Sequence, residues 1–173
     1  MARSALQSRR RIGQGPLWFA TYLPAATVVG ASLLAALPIV SSNGWYPDFG
    51  FLVLISWRLL RSDPFPAWWA APLGLINDLF TGAPIGFSVA WWSAIMLALD
   101  LIDRRTMWRD YWTEWALAAL LIAISEWLQW RVAALVGARI ELSKMLPAII
   151  VSICVFPLTA WLVSRLDAWR LGR

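Results

Sequence analysis

Residues 17–40 read LWFATYLPAATVVGASLLAALPIV. This stretch decides the class of protein. A helix that crosses a bilayer needs about 20 mostly apolar residues. Leu17 to Val40 meets that length without a single charge. A basic head precedes it, with Arg3, Arg9, Arg10 and Arg11. A secretory leader also opens with a basic head, but its apolar part runs only about 7–15 residues. The run from Leu17 is longer and further apolar runs follow, so it reads as a retained first span.

Outward from that run the pattern repeats. Apolar stretches cover residues 46–61, 66–81, 85–102, 112–136 and 145–165. The breaks carry turn chemistry: Ser41-Ser42-Asn43-Gly44, Ser62-Asp63-Pro64, Thr81-Gly82-Ala83-Pro84 and the charged Asp103-Arg104-Arg105. The expected fold is all-α: one polytopic transmembrane domain of six helices over residues 1–173, with 1–16 as a basic cytoplasmic segment. The stretches 46–61 and 66–81 are short, and Pro72 interrupts the second. Five spans with a re-entrant segment within 46–81 are therefore the alternative.

The bulk composition agrees. The chain is 60% hydrophobic and 14% charged, whereas soluble domains carry about a quarter charged residues. The 14 Trp residues suit the headgroup boundary, where the ring is buried and the N–H stays wet. The net charge of +5 forms no stripe, because the Arg residues sit between apolar runs. Nucleic acid is not an expected partner. Twelve of the 15 Lys and Arg residues fall on one side of the six-span arrangement. Only Arg131, Arg139 and Lys144 fall on the other. Positive charge collects on the cytoplasmic side, so both termini are expected there, with the chain in an inner membrane. The chain has one cysteine, Cys154, and no histidine. The usual zinc, haem and copper ligand sets and the histidine-dependent nucleophile sites are thereby excluded. No cofactor and no metal are expected.

Three places carry polar groups inside apolar surroundings. In the fifth run, Ser125, Glu126 and Gln129 share a face at helical spacing, extended by Ile122 and Ala133. Glu126 falls near the expected midplane, where a carboxylate must face other helices, be paired or be protonated. A hydrogen bond between helices is the plainer reading, and a ligand or partner site the other. Gly74, Asp78 and Gly82 recur every four residues, a spacing at which small residues let helices approach closely. Gly82 and Pro84 are expected to end the third span, with Pro84 in the first turn of the next. Asp78 then lies at a helix C-terminus that does not favour an anion, so it needs a partner, and Arg131 is one candidate. Tyr46-Pro47-Asp48 opens the second run: Pro47 suits a first turn and Asp48 a helix N-terminus. The pairs Trp68-Trp69 and Trp91-Trp92 read as packing and interface residues.

In order and spacing these residues resemble the bacterial MreD family of rod shape-determining proteins. The likeness covers nearly the whole chain. Tyr46-Pro47-Asp48-Phe49, with an apolar run to Trp57, is similar to the family's opening of the second span. Gly74, Asp78-Leu79, Gly82 and Ile85-Gly86 are similar to its Gly-x-x-x-Asp-Leu…Gly…Leu-Gly pattern. Glu126 and Pro157 also match. Asn77, polar where the family is often apolar, and Pro64-Phe65-Pro66 depart from it. The resemblance implies a non-enzymatic membrane component of the elongation machinery. It implies partnership with MreC, with the class B penicillin-binding transpeptidase and with the glycosyltransferase RodA, and indirectly with the actin-like MreB. Pro47, Asp48, Gly74, Asp78, Gly82, Gly86, Glu126 and Gln129 are its structural or partner-contact candidates. The family fold also resembles the substrate-binding subunits of energy-coupling-factor transporters, which supplies the alternative function.

Overall fold

The computed structural model describes residues 17–37, 46–61, 66–103, 110–135, 137 and 142–170. The basic segment 1–16, the turns at 41–44 and 62–65, and Arg104, Arg105, Arg109, Arg139 and Arg173 lie outside the described residues. The described residues are helical and contain no strand. Helix α1 is Leu17–Leu33, followed by a 3-10 turn at Leu34–Ala36. Helix α2 is Phe49–Leu60. A 3-10 turn at Ala67–Trp69 leads into α3, Ala70–Thr81. Then come α4 (Phe87–Asp103), α5 (Tyr111–Leu135) and α6 (Leu142–Arg170).

Helix α2 is the axis of the bundle. Each residue from Gly50 to Leu59 is buried, with no polar face left for water. Its neighbours reach it from several sides. Trp57 Nε1 donates to Thr27 Oγ1 of α1 at 2.9 Å. Ser56 Oγ and Thr159 Oγ1 of α6 share a hydrogen bond at 3.2 Å. The Phe51 ring stacks on Trp92 of α4 with centroids 6.3 Å apart.

That central place explains its length. Twelve residues rise only about 18 Å, short of the hydrocarbon thickness of about 30 Å. A helix enclosed by protein need not reach both surfaces, because its end groups can be satisfied by neighbouring helices rather than lipid. The apolar run 46–61 therefore holds a helix shorter than the run itself. The run 66–81 likewise divides into the 3-10 turn and the 12-residue α3. Helix α5 and residues Met145–Arg170 of α6 are each long and apolar enough to cross a membrane. Their outward faces carry bare aliphatic groups, with Leu120, Ile150 and Leu158 each more than half exposed. Contiguous apolar surface of that kind suits lipid rather than water.

The turn between α3 and α4 differs from the sequence expectation in one respect. Pro84 does not begin α4. It sits in the connecting turn, where its carbonyl accepts from the Phe87 amide at 3.0 Å. Similarly, Pro47 is a buried residue ahead of the cap of α2, not part of its first turn.

Candidate functional site

Polar side chains gather at the two ends of the short α2. Just ahead of its first residue, Asp48 is the N-cap. Asp48 Oδ1 accepts from the Phe51 amide at 3.0 Å, which satisfies one of the donors a helix start leaves open. Its other oxygen, Oδ2, accepts from Asn77 Nδ2 of α3 at 2.9 Å. The same Nδ2 lies 3.3 Å from Ser88 Oγ in the first turn of α4. Asn77 is thus the bridge between three helices, and it is fully buried.

Asp78 stands beside it on α3 and is 1% exposed. It reaches across to the start of α4. Its Oδ2 accepts from the Gly86 amide at 2.8 Å and its Oδ1 from the Ser88 amide at 2.9 Å. A carboxylate at a helix start meets unpaired N–H groups and the positive end of the dipole. The difficulty of an anion at the C-terminus of α3 is resolved in this way: Asp78 belongs to α3 by sequence and caps α4 by contact. Arg131 is not its partner. That guanidinium lies over the rings of Trp127 and Trp130, 5.8 and 5.9 Å from their centroids.

The glycines make this geometry possible. Gly82 closes α3 at φ +68°, its amide donating to Asp78 O at 3.1 Å. Gly86 at φ +97° turns its own N–H toward Asp78. Gly74 acts by close approach. A Cβ there would lie 2.6 Å from the carbonyl carbon and oxygen of Ser88 and 2.7 Å from the Val89 nitrogen. The start of α4 therefore rests directly on α3, within reach of Asp78.

On α5, Ile122 and Ser125 are buried and face the bundle. Glu126 is half-buried. Gln129 is half-buried too. The structure thus joins Asp48, Gly74, Asp78, Gly82 and Gly86 in one cluster.

The opposite end of α2 holds a second cluster, which the sequence did not reveal. Arg58 is 1% exposed and lies between Asp100 and Asp103 of α4, each at 2.6 Å. Arg61 pairs with Asp167 of α6 at 2.8 Å, and Asp167 with Arg170 at 2.7 Å. The Arg170 guanidinium covers the Trp57 ring at 5.3 Å. Read from sequence, Arg58 and Arg61 are simply topology-setting charges. The available signal was the recurrence of Asp100 and Asp103 one helical turn apart at the end of an apolar run.

No curated protein and no solved structure matches the chain. A family model does: the one described as rod shape-determining protein MreD matches residues 10–165. The match takes in Asp48, Asp78, Glu126 and the Arg58, Asp100 and Asp103 network, though not Asp167 and Arg170, and it shows that the chain belongs to the MreD family of rod shape-determining membrane proteins.

Proposed function

We propose that this chain is a non-enzymatic inner-membrane scaffold of the rod complex. In this reading it has six spans with both termini in the cytoplasm. It binds MreC and, through that assembly, acts on RodA and the class B penicillin-binding transpeptidase, with MreB on the cytoplasmic side. The observation that carries the reading is what the motif residues do. Asp48 and Asp78 cap helices, Gly74 lets two helices touch, and Gly82 and Gly86 shape the turn between them. The motif serves to fix helix positions, which is what a scaffold requires. An apolar furrow between α4 and α5, lined by Phe87, Ala90, Trp91, Ala94, Leu128 and Val132, also suits association within the membrane.

Glu126 separates this reading from a catalytic or proton-coupled one. A scaffold residue needs its size and polarity but not its charge. Glu126→Gln should therefore support near-normal rod shape in a depletion strain. Glu126→Leu removes the polar group altogether and should give rounded cells or lost MreC association. Cell width and membrane protein level are scored together. If Gln is as defective as Leu at equal protein level, the charge itself is needed and the scaffold role of Glu126 is wrong.

A further inference from the structure

One arginine at the Arg58 end of the bundle stands apart from its neighbours. Arg58, Arg61 and Arg170 are each paired with a carboxylate. Arg165 of α6 is exposed, and among the described residues no carboxylate lies within ion-pair distance of it. Its guanidinium lies instead over the Trp161 ring, 5.4 Å from the centroid. Trp161 and Trp169 are 54% and 64% exposed. They flank Arg165 one helical turn before and one turn after, so all three share an outward face. The same face continues along the helix as apolar surface, with Leu158, Leu162 and Cys154 exposed.

Helix α5 marks the depth of this face. From Tyr111 to Arg131 it rises about 30 Å, the thickness of the hydrocarbon core. Exposed Tyr111 and Trp112 stand at one end, and Trp127 and Trp130 beneath Arg131 at the other, as rings at the two membrane boundaries do. Helices α5 and α6 follow one another and pack together, so they run antiparallel. The last turns of α6, with Arg165, therefore lie at the Tyr111 boundary, in the layer where lipid phosphates sit. A cation there without a carboxylate calls for an anion. Guanidinium binds phosphate through two parallel hydrogen bonds. Arg165 is already braced on a ring, so little side-chain freedom is lost on binding. A zwitterionic headgroup brings a second cation beside it, whereas a net-negative one does not. An apolar helix of another protein laid on this face would strand the charge.

We propose that Trp161, Arg165 and Trp169 form a headgroup site for a net-anionic phospholipid whose chains run along Leu158 and Leu162. This goes beyond the scaffold function and does not depend on it.

The test is thermal unfolding of the purified full-length protein in detergent, titrated with phosphatidylglycerol or phosphatidylcholine. Phosphatidylglycerol should raise the melting temperature saturably, as a ligand of the folded state must, and phosphatidylcholine should do so far less. Arg165→Gln changes an outward side chain with no ion pair, so it should melt with the wild type when no lipid is added. It should raise the phosphatidylglycerol midpoint by roughly tenfold or more. Trp161→Leu keeps the charge and removes the ring that holds it, and should raise the midpoint in the same direction. Equal stabilisation by the two lipids would overturn the proposal, as would a phosphatidylglycerol midpoint unchanged in Arg165→Gln. If Arg165→Gln does not fold, an unchanged midpoint in Trp161→Leu overturns it. The same stabilisation by glycerol phosphate alone would make this a phosphate site without a lipid and overturn it equally. Binding of MreC is read separately, so failure here leaves the scaffold reading standing.

Discussion

Arg58→Met should destabilise the protein by about 2–3 kcal/mol, less than the ~3–5 kcal/mol of breaking a fully buried ion pair from one side, because the carboxylates it strands are only partly buried. Arg58 is 1% exposed and sits between two carboxylates of a neighbouring helix, at 2.6 Å from each. Removing it takes from Asp100 and Asp103 the guanidinium they share, and it cuts a tie between α2 and α4. Lysine should not rescue well, because an ammonium lacks the planar fork that reaches two carboxylates at once. Adding Asp100→Asn and Asp103→Asn to Arg58→Met should recover part of the loss, since the stranded charges are then gone. Melting of the detergent-extracted protein and its level in membranes are the measurements. An Arg58→Met protein that melts with the wild type would show that this network does not hold α2 in place.

Asp78→Leu should be at least as severe. Asp78 accepts from the Gly86 and Ser88 amides at 2.8 and 2.9 Å. Hydrogen bonds to a charged group contribute about 1.5–3 kcal/mol each, so losing both costs on the order of 3–6 kcal/mol. Leucine also places an apolar chain against two undonated N–H groups at the start of α4. Asp78→Asn retains one good acceptor and should lose roughly half as much. The folded fraction after extraction and the melting temperature report this directly. Normal melting with lost complex assembly would move Asp78 from helix packing to partner contact. A variant with neither defect would contradict both roles.

What could be read from sequence follows the range of each interaction. The apolar runs, the cap at Asp48 and the stop at Gly82 are local, and each appears in the chain order itself. The ends of α2 were less legible, because hydropathy does not distinguish the helix from the extended residues Tyr46, Pro47 and Asp48 that lead into it. Asp78 shows where local reading ends. Its need for a partner follows from its place at a helix C-terminus. The partner itself is created only when the chain reverses and brings backbone amides of α4 to α3, so a charged side chain such as Arg131 was the natural but incorrect choice. Asn77 was visible only as a departure from the family pattern. In the folded chain it links Asp48 with Ser88 across three helices. Arg58 required knowledge of which helices are neighbours, since its partners lie far along the chain.

The central claim is that this MreD-family chain works by assembling with the rod machinery. Affinity purification of the tagged full-length protein in mild detergent, with identification of what accompanies it, tests that claim most directly. The account predicts recovery of MreC, with RodA and the class B transpeptidase in the same fraction, and loss of that recovery in Glu126→Leu at equal protein level. Recovery of an ATPase module with a transmembrane coupling subunit, and no MreC, would contradict it and support a small-molecule transporter subunit.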